Sequence, residues 1–500
     1  LRDIYWILLL AAAAFGGSLT APFHLDDFAL LSDPLITDPH LFAHAAEWLR
    51  QTRPLTWLTF WVNYQLGGSD PFGYHLVNLL LHLASIVLLR DTLGRITSPA
   101  TATLATVVFA LHPIQTEAVS YVFARATLLM ALFCIVALRA WLGGRHWQAV
   151  VWFVPALLAK EECVSFPLLL GLLHLVSSRN PRERAPIAVL LLLAVAAGLR
   201  VLAATSAVAG SGAGVQAGVG PVDYFVAQGV AIWRYVRLLA IPWGFSIESP
   251  VVVSPWGWLG WLALGGVVVW SLGRFDKARV GFWVLGALVL LAPSSTLLPA
   301  ADLSADRRVY LPLAIGGVAI AMALGRAFGG RVVYALAGVL AVLSMVQTAR
   351  WRDGEQLWRQ AVAAAPHQVR PRIQLARQVR EPGVALAVLE EARVLAPDDP
   401  AIASEKGKVL LESGNPQAAL AEFGRALALT PNDARALNNR GVALSRMGQK
   451  DAAIADFQRA LAVDACLFDA RFNLRSLGVA LPQSPDCGYT PEQRMQLGGR

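Results

Sequence analysis

The sequence predicts an all-α protein in two parts, a polytopic bundle of membrane-spanning helices followed by a solenoid of helix pairs. Three observations predict it. The 500 residues are 56% hydrophobic and 15% charged, with a mean hydropathy of +0.52, too apolar for an ordinary soluble chain. Apolar runs near membrane-spanning length recur from the first residues to about 347. Beyond that point the texture changes to alternating charge and alanine-rich amphipathic helices, and a pattern repeats: Gly407, Leu410, Ala419, Phe423 and Ala426 return 34 residues later as Gly441, Leu444, Ala453, Phe457 and Ala460.

The apolar runs fall at about 4–21, 73–89, 100–111, 118–138, 146–159, 163–177, 186–205, 256–272, 280–292, 309–325 and 332–347. Those shorter than the roughly 20 residues a span needs are read as tilted or extended by their flanks. Ile4 to Ala21 holds no charge and no clear small-x-small cleavage site before Phe23, so it reads as a retained signal anchor. With that helix entering from the cytoplasm, the loops Arg90–Arg95, Arg139–Arg145, Arg179–Arg184, Arg274–Arg279 and Arg326–Arg331 fall inside, each with at least two arginines. The outer loops then hold Asp26-Asp27, His112 to Glu117, Lys160-Glu161-Glu162, a neutral stretch from Thr205 to Gly220, and Asp302 to Arg308. This partition requires Tyr224 to Trp243, which carries Arg234 and Arg237, to lie in the interface without crossing. About eleven spans then place the C-terminus outside. The net charge of +8 sits largely in short loops, as membrane anchors do, so no nucleic-acid partner is expected.

A period of 34 with small, aromatic and small residues at those offsets is the tetratricopeptide helix-turn-helix signature. A weaker unit precedes it with Ala385, Leu389, Ala392 and Pro397, and Trp351, Trp358, Ala361 and Pro366 read as a half-repeat joining the last span to the array. The expected domains are 1–347, the membrane domain; 348–399, the degenerate half-repeat and repeat-like unit; 400–478, two repeats and a capping helix; and 479–500, a tail. Arg435, Asn438 and Asn439 are placed on the concave face, where a protein or peptide acceptor would bind. If the repeats face an oxidising compartment, Cys466 and Cys487 can bridge, while Cys134 and Cys163 belong to the membrane helices.

Asp26-Asp27 stands at the exit of the first apolar run, where carboxylates are avoided unless they have work to do. The later outer loops supply company: RPLTWLTFWVNYQLGGSDPFGYHLVNLLLH from Arg53, LHPIQTEAVSYVFARATLL from Leu111, KEECVSFP from Lys160, YFVAQ and YVRLLAIPW between Tyr224 and Trp243, and ADRRVYLP from Ala305. In that order, with acids after the first helix and repeats after the last, the chain resembles the transmembrane-and-tetratricopeptide O-mannosyltransferase family and its bacterial relatives. The resemblance covers nearly the whole chain. It implies a GT-C membrane glycosyltransferase that takes a mannose-like sugar from a polyprenyl-phosphate carrier on the extracytoplasmic side of a bacterial inner membrane. It also implies inverting transfer to a protein or envelope hydroxyl. Thr127 departs from the family, whose members commonly have an acid after Arg-Ala.

A glycosyl phosphate already carries its leaving group, so such an enzyme must chiefly activate the acceptor hydroxyl and neutralise the departing phosphate. Asp26 and Asp27 are assigned to the base role, Asp26 slightly favoured by the resemblance, with Glu117 as a helping acid. Arg125, Lys160, Arg234, Arg307 and Arg308 are the candidate phosphate-binding cations. Each has a structural reading beside it: Arg307-Arg308 as a surface pair, Lys160 as the partner of Glu161 or Glu162, Arg125 as the partner of Glu117, and Arg53 as a loop anchor. His75 and His82, seven apart on one helix face, read as packing residues; no metal and no cofactor is expected to be required. A membrane-anchored repeat scaffold without catalysis is the alternative, and it leaves the acids and arginines of the outer loops unexplained.

Overall fold

A computed structural model describes residues 2–41, 44–177, 180–207, 219–276, 279–295, 299–300, 302–328, 332–481, 487 and 489–498. Most of the Thr205-to-Gly220 loop lies outside these residues, as do Arg179 and Arg331 of two basic loops. The chain forms two compact units: Leu1–Phe28 with His44–Asp353, and Ala29–Ala43 with Gly354–Arg500. Both are helical, and the described elements are α- and 3-10 helices.

In the first unit, among the described residues, five helices are long and apolar enough to cross a membrane: Pro71–Leu93, Val122–Leu142, Pro181–Ala204, Asp306–Phe328 and Val333–Arg350. Shorter apolar helices cover Ile4–Thr20, Pro99–Leu111, His146–Ala159, Trp256–Leu272 and Val280–Ser294. This is a membrane protein by the physics of its surface, since side chains such as Leu192, Leu199, Leu262 and Val269 stand exposed on these helices. Local signals set many of the starts. Asp70 caps Pro71–Leu93 by accepting from Phe72 N at 3.0 Å, and Ser98 caps Pro99–Leu111 by accepting from Thr101 N at 3.2 Å.

The stretch that matters for function is where regular helix fails. Pro113 ends the Pro99–Leu111 helix, and the chain continues through the short turns Pro113–Gln115, Thr116–Ser120 and Val122–Ala124 before Arg125–Leu142 begins. Irregular backbone in a membrane protein has to be enclosed by protein, and Ile114, Gln115, Ala118, Val119 and Val122 are fully buried.

The Pro221–Ala240 helix, which carries Arg234, crosses Trp256–Leu272 at very close range. A Cβ on Gly229 would meet the Gly257 carbonyl, and one on Gly260 would meet the Gly229 carbonyl, so only glycine permits this crossing. Trp233 Nε1 donates to Gly260 O at 2.9 Å and Trp261 Nε1 to Phe225 O at 2.7 Å, fixing the register.

In the second unit the repeated helices are Pro400–Glu412 with Pro416–Leu429 and Ala434–Arg446 with Lys450–Val463. Gly407 faces Phe423 and Gly441 faces Phe457, and in each pair an added Cβ would lie 2.6 Å from the ring. The turns within each pair use Gly414 and Gly448 at φ +81° and +78°, a region that costs glycine little. Cys466 and Cys487 form a disulfide. Segment 29–43 belongs to this unit: Leu30 and Ile36 are fully buried, and Asp38 lies 3.8 Å from Arg494. Trp358 packs with the repeats, whereas Trp351, read from sequence as part of the same half-repeat, lies in the membrane unit against Tyr121.

Candidate functional site

A polar cavity of about 360 Å³ in the membrane unit is lined by segments far apart in sequence: Asp26; Arg53; Thr127; Lys160, Glu161 and Glu162; Tyr224; and Asp302, Arg307 and Arg308. The two adjacent acids are separated by their surroundings. Asp27 is fully buried and accepts from His24 N at 3.0 Å and Phe123 N at 2.8 Å, tying the first loop to the turn before Arg125. Burial pushes its carboxyl up to about 8, with the two backbone donors opposing. Asp26 is exposed to the cavity and accepts from the Tyr121 hydroxyl at 2.9 Å, while its own N–H donates to that oxygen at 3.3 Å. Leu25 just before it sits at φ +49°, a left-handed conformation that costs a bulky residue roughly 1–2 kcal/mol. Strain at this position aims consecutive carboxylates in different directions.

The cations differ as sharply. Arg53 grips Glu161 through two bonds of 2.9 and 2.5 Å, and despite burial this pairing holds Glu161 down at about 2. Lys160 Nζ meets Glu162 at 2.9 Å and donates to Thr127 Oγ1 at 3.0 Å, and burial lowers the pKa of its ammonium. Arg307 is held by Glu117, which accepts from both its guanidinium and its backbone N–H, and by Asp302 at 3.2 Å. Arg308 is bound only by neutral oxygens: Tyr224 Oη at 3.2 Å and the carbonyls of Ser294, Leu303 and Asp302 at 3.2, 3.3 and 2.7 Å. Among the described residues it is the cavity cation with no carboxylate within 4 Å.

The remaining sequence candidates lie outside the cavity lining. Glu117 positions Arg307. Arg125 does not pair with Glu117; it is fully buried over the Phe60 ring at 4.4 Å and donates to Asn78 Oδ1 at 2.9 Å and Tyr74 O at 3.0 Å. Its charge is spent on fastening helices. Arg234 forms a buried pair with Asp306 at 2.5 Å. In the repeats, Arg435 is exposed, and Asn438 is buried and accepts from Asn473 at 2.9 Å, with Asn439 beside it at 3.4 Å. Sequence reasoning missed Tyr121 and Tyr224 and gave Arg53 only an anchoring role. The one available signal was their place inside the quoted motifs, since separations of 95 residues from Asp26 to Tyr121 and 84 from Tyr224 to Arg308 leave no periodicity.

A second cavity, of about 780 Å³, is lined almost wholly by apolar residues, including Val309, Leu313, Leu291, Ile232 and Tyr235. It begins one residue beyond Arg308 along the chain.

The tetratricopeptide-repeat family pattern matches residues 371–434 and 404–470. The chain is similar to a protein O-mannosyl-transferase, TMTC4, of Mus musculus, 25% identical over an aligned length of 428 residues, with 68% of this chain and 57% of the relative covered. It is also similar to TMTC3 of Homo sapiens, 31% identical over 150 residues, 27% of this chain and 16% of that one. The protein O-mannosyl-transferase F38B6.6 of Caenorhabditis elegans is 30% identical over 183 residues, 32% of this chain and 26% of the relative. The chain thus spans little more than half the length of the mouse relative and smaller shares of the others. Among solved structures, MamA aligns with 25% of this chain and 77% of its own at 20% identity and a TM-score of 0.23.

Proposed function

From the premise that this chain is a relative of the transmembrane-and-tetratricopeptide protein O-mannosyltransferases, we propose that it transfers a mannose-like sugar from a polyprenyl phosphate to a protein hydroxyl. The observation that carries the proposal is one polar cavity holding, among the described residues, a carboxylate with no cation bonded to it, Asp26, and a guanidinium with no carboxylate within 4 Å, Arg308. The first suits a proton acceptor and the second a phosphate.

The acceptor oxygen attacks C1 of the sugar on the face opposite the phosphate. Its proton passes to Asp26 as the C1–O bond to phosphate breaks, and the charge left on the phosphate is met by Arg308 with Lys160 and Arg307 nearby. A single displacement of this kind inverts the anomeric centre. The carrier's isoprenoid chain has the apolar cavity beside Val309 to enter. Because the donor is already a phosphate diester, from which polyprenyl phosphate departs as a monoester, the reading calls on no cofactor. The repeats would capture the acceptor on the same, extracytoplasmic, side.

Purified chain in lipid nanodiscs, given radiolabelled mannosyl-phosphoryl-polyprenol and an envelope-protein extract, should label protein. Asp26→Asn should abolish the label while donor binding persists. Absence of transfer from the mannosyl donor and from the glucosyl and galactosyl analogues would leave the scaffold alternative standing.

A further inference from the structure

The last turn of the membrane unit is built into the loop that carries the acids. Trp351 is only 2% exposed. Its ring packs against Tyr121 with centroids 6.1 Å apart, and against His24 at 5.7 Å, edge on. Its carbonyl accepts from His24 Nε2 at 2.8 Å, across 327 residues of sequence. Both of its neighbours hold an acid: Tyr121 donates to Asp26 Oδ2 at 2.9 Å, and the His24 N–H donates to Asp27 Oδ2 at 3.0 Å. Arg307 also lies over the Tyr121 ring, 5.8 Å from its centre. Trp351 therefore closes one side of the pocket that orients the Tyr121 hydroxyl, and it does so two residues before Asp353, where the chain leaves this unit for the repeats.

We propose that Trp351 is a positioning residue for Asp26, acting through Tyr121 and His24. The proposal deepens the glycosyltransferase reading and rests on it for its kinetic consequence. A tryptophan at the foot of the last span has an obvious alternative use, as an interfacial anchor, but an anchor keeps its ring at the membrane surface, whereas this ring is enclosed by protein. Removing it leaves the Tyr121 side chain free on one face, so the bond to Asp26 has alternatives to compete with.

Two readouts test this. In the transfer assay, Trp351→Leu should lower kcat about 10-fold with donor KM within about twofold, and Trp351→Phe should recover most of the loss, since a ring remains. Tyr121→Phe should lower kcat similarly, and the double variant should be no slower than Tyr121→Phe alone, because both act on one contact. Additive losses, or an unchanged kcat in Trp351→Leu, would overturn the proposal. The second readout needs no turnover. The four native cysteines are buried or bridged, so in Asp26→Cys the introduced thiol is the reactive one. Adding Trp351→Leu to that variant should raise its rate of maleimide alkylation severalfold by loosening the loop. An unchanged rate would reject Trp351 as a positioning residue even if the chain transfers no sugar, whereas a raised rate with no transfer by wild type would reject the enzymatic reading alone.

Discussion

The repeats and the membrane unit use charge in opposite ways. In the repeats, Arg359–Glu355, Arg393–Glu390 and Arg425–Glu422 are neighbours three or four residues apart on exposed helix faces. Such pairs contribute about 0–1 kcal/mol and say little beyond helix. In the membrane unit, Arg234–Asp306 spans 72 residues, Arg53–Glu161 spans 108 and Arg307–Glu117 spans 190, and all are wholly or largely buried. Taking both partners out of water costs several kcal/mol per ion, which mutual attraction does not reliably return. The repeats add longer pairs, Arg440–Asp456 and Arg377–Glu405, which reach 16 and 28 residues to a buried carboxylate, whereas the pairs around the cavity join segments up to 190 residues apart.

Five measurements can break or sharpen that contrast. The largest effect is expected at Asp26, where Asn cannot take a proton: turnover should fall on the order of 1,000-fold, about 4 kcal/mol. Asp27→Asn should spare most of the turnover and alter pH dependence instead. With its folded-state pKa near 8 and an ordinary carboxylate value when unfolded, Asp27 favours the folded state while protonated. Its contribution is complete below about pH 4 and is lost as pH rises towards 8. Unfolding of the membrane unit followed from pH 5 to 8 should show that decline in wild type and a flatter profile in Asp27→Asn. Equal kinetic damage from the two substitutions would erase the distinction between them.

The next effect belongs to the repeats. Opening the Cys466–Cys487 bridge, 21 residues apart, should cost about 3 kcal/mol in the chain-entropy model. That loss should be read as a lower denaturant midpoint for repeat helicity, with alkylation by a maleimide probe in the membrane unit unchanged. Gly441→Val should follow at about 2 kcal/mol, because its side chain meets the Phe457 ring. Circular dichroism should show the repeats melting earlier while donor binding is retained. Coupled loss of both units in either experiment would contradict their separate construction. The smallest effect is at Arg308. Lys keeps the charge but replaces a planar fork with a single point, and the donor KM should rise about 10-fold, equivalent to about 1.4 kcal/mol. A larger rise in acceptor KM than in donor KM would remove phosphate from its vicinity.

Much of this molecule was legible before any coordinates. The 34-residue recurrence fixed the repeat helices because each packs on its sequence neighbour, so spacing and contact are the same information. Apolar runs located the apolar helices, five of which, among the described residues, are long enough to cross a bilayer, whose thickness sets that length. The acid pair after the first run and the arginines of the last outer loop were also visible, as was the pairing of Cys466, at the end of the last repeat, with Cys487 in the tail. Arg125 and Arg234 show where residue type alone misleads. An arginine that binds phosphate and one that fastens buried helices present the same letter, and they differ only in whether oxygen from the rest of the fold already surrounds the guanidinium.

The sequence by itself determined helical class, the tetratricopeptide repeats, and the stock of acids and bases. All of these depend on hydrophobic length or on contacts within some tens of residues. Tertiary structure alone decided which of two adjacent aspartates faces the cavity, which of its four cations has no carboxylate within 4 Å among the described residues, and that Trp351 closes on Tyr121. These outcomes depend on burial and on partners brought from 80 to more than 300 residues away. A charged side chain's behaviour is set by the dielectric and the hydrogen bonds around it, and neither is a property of its neighbours in the chain.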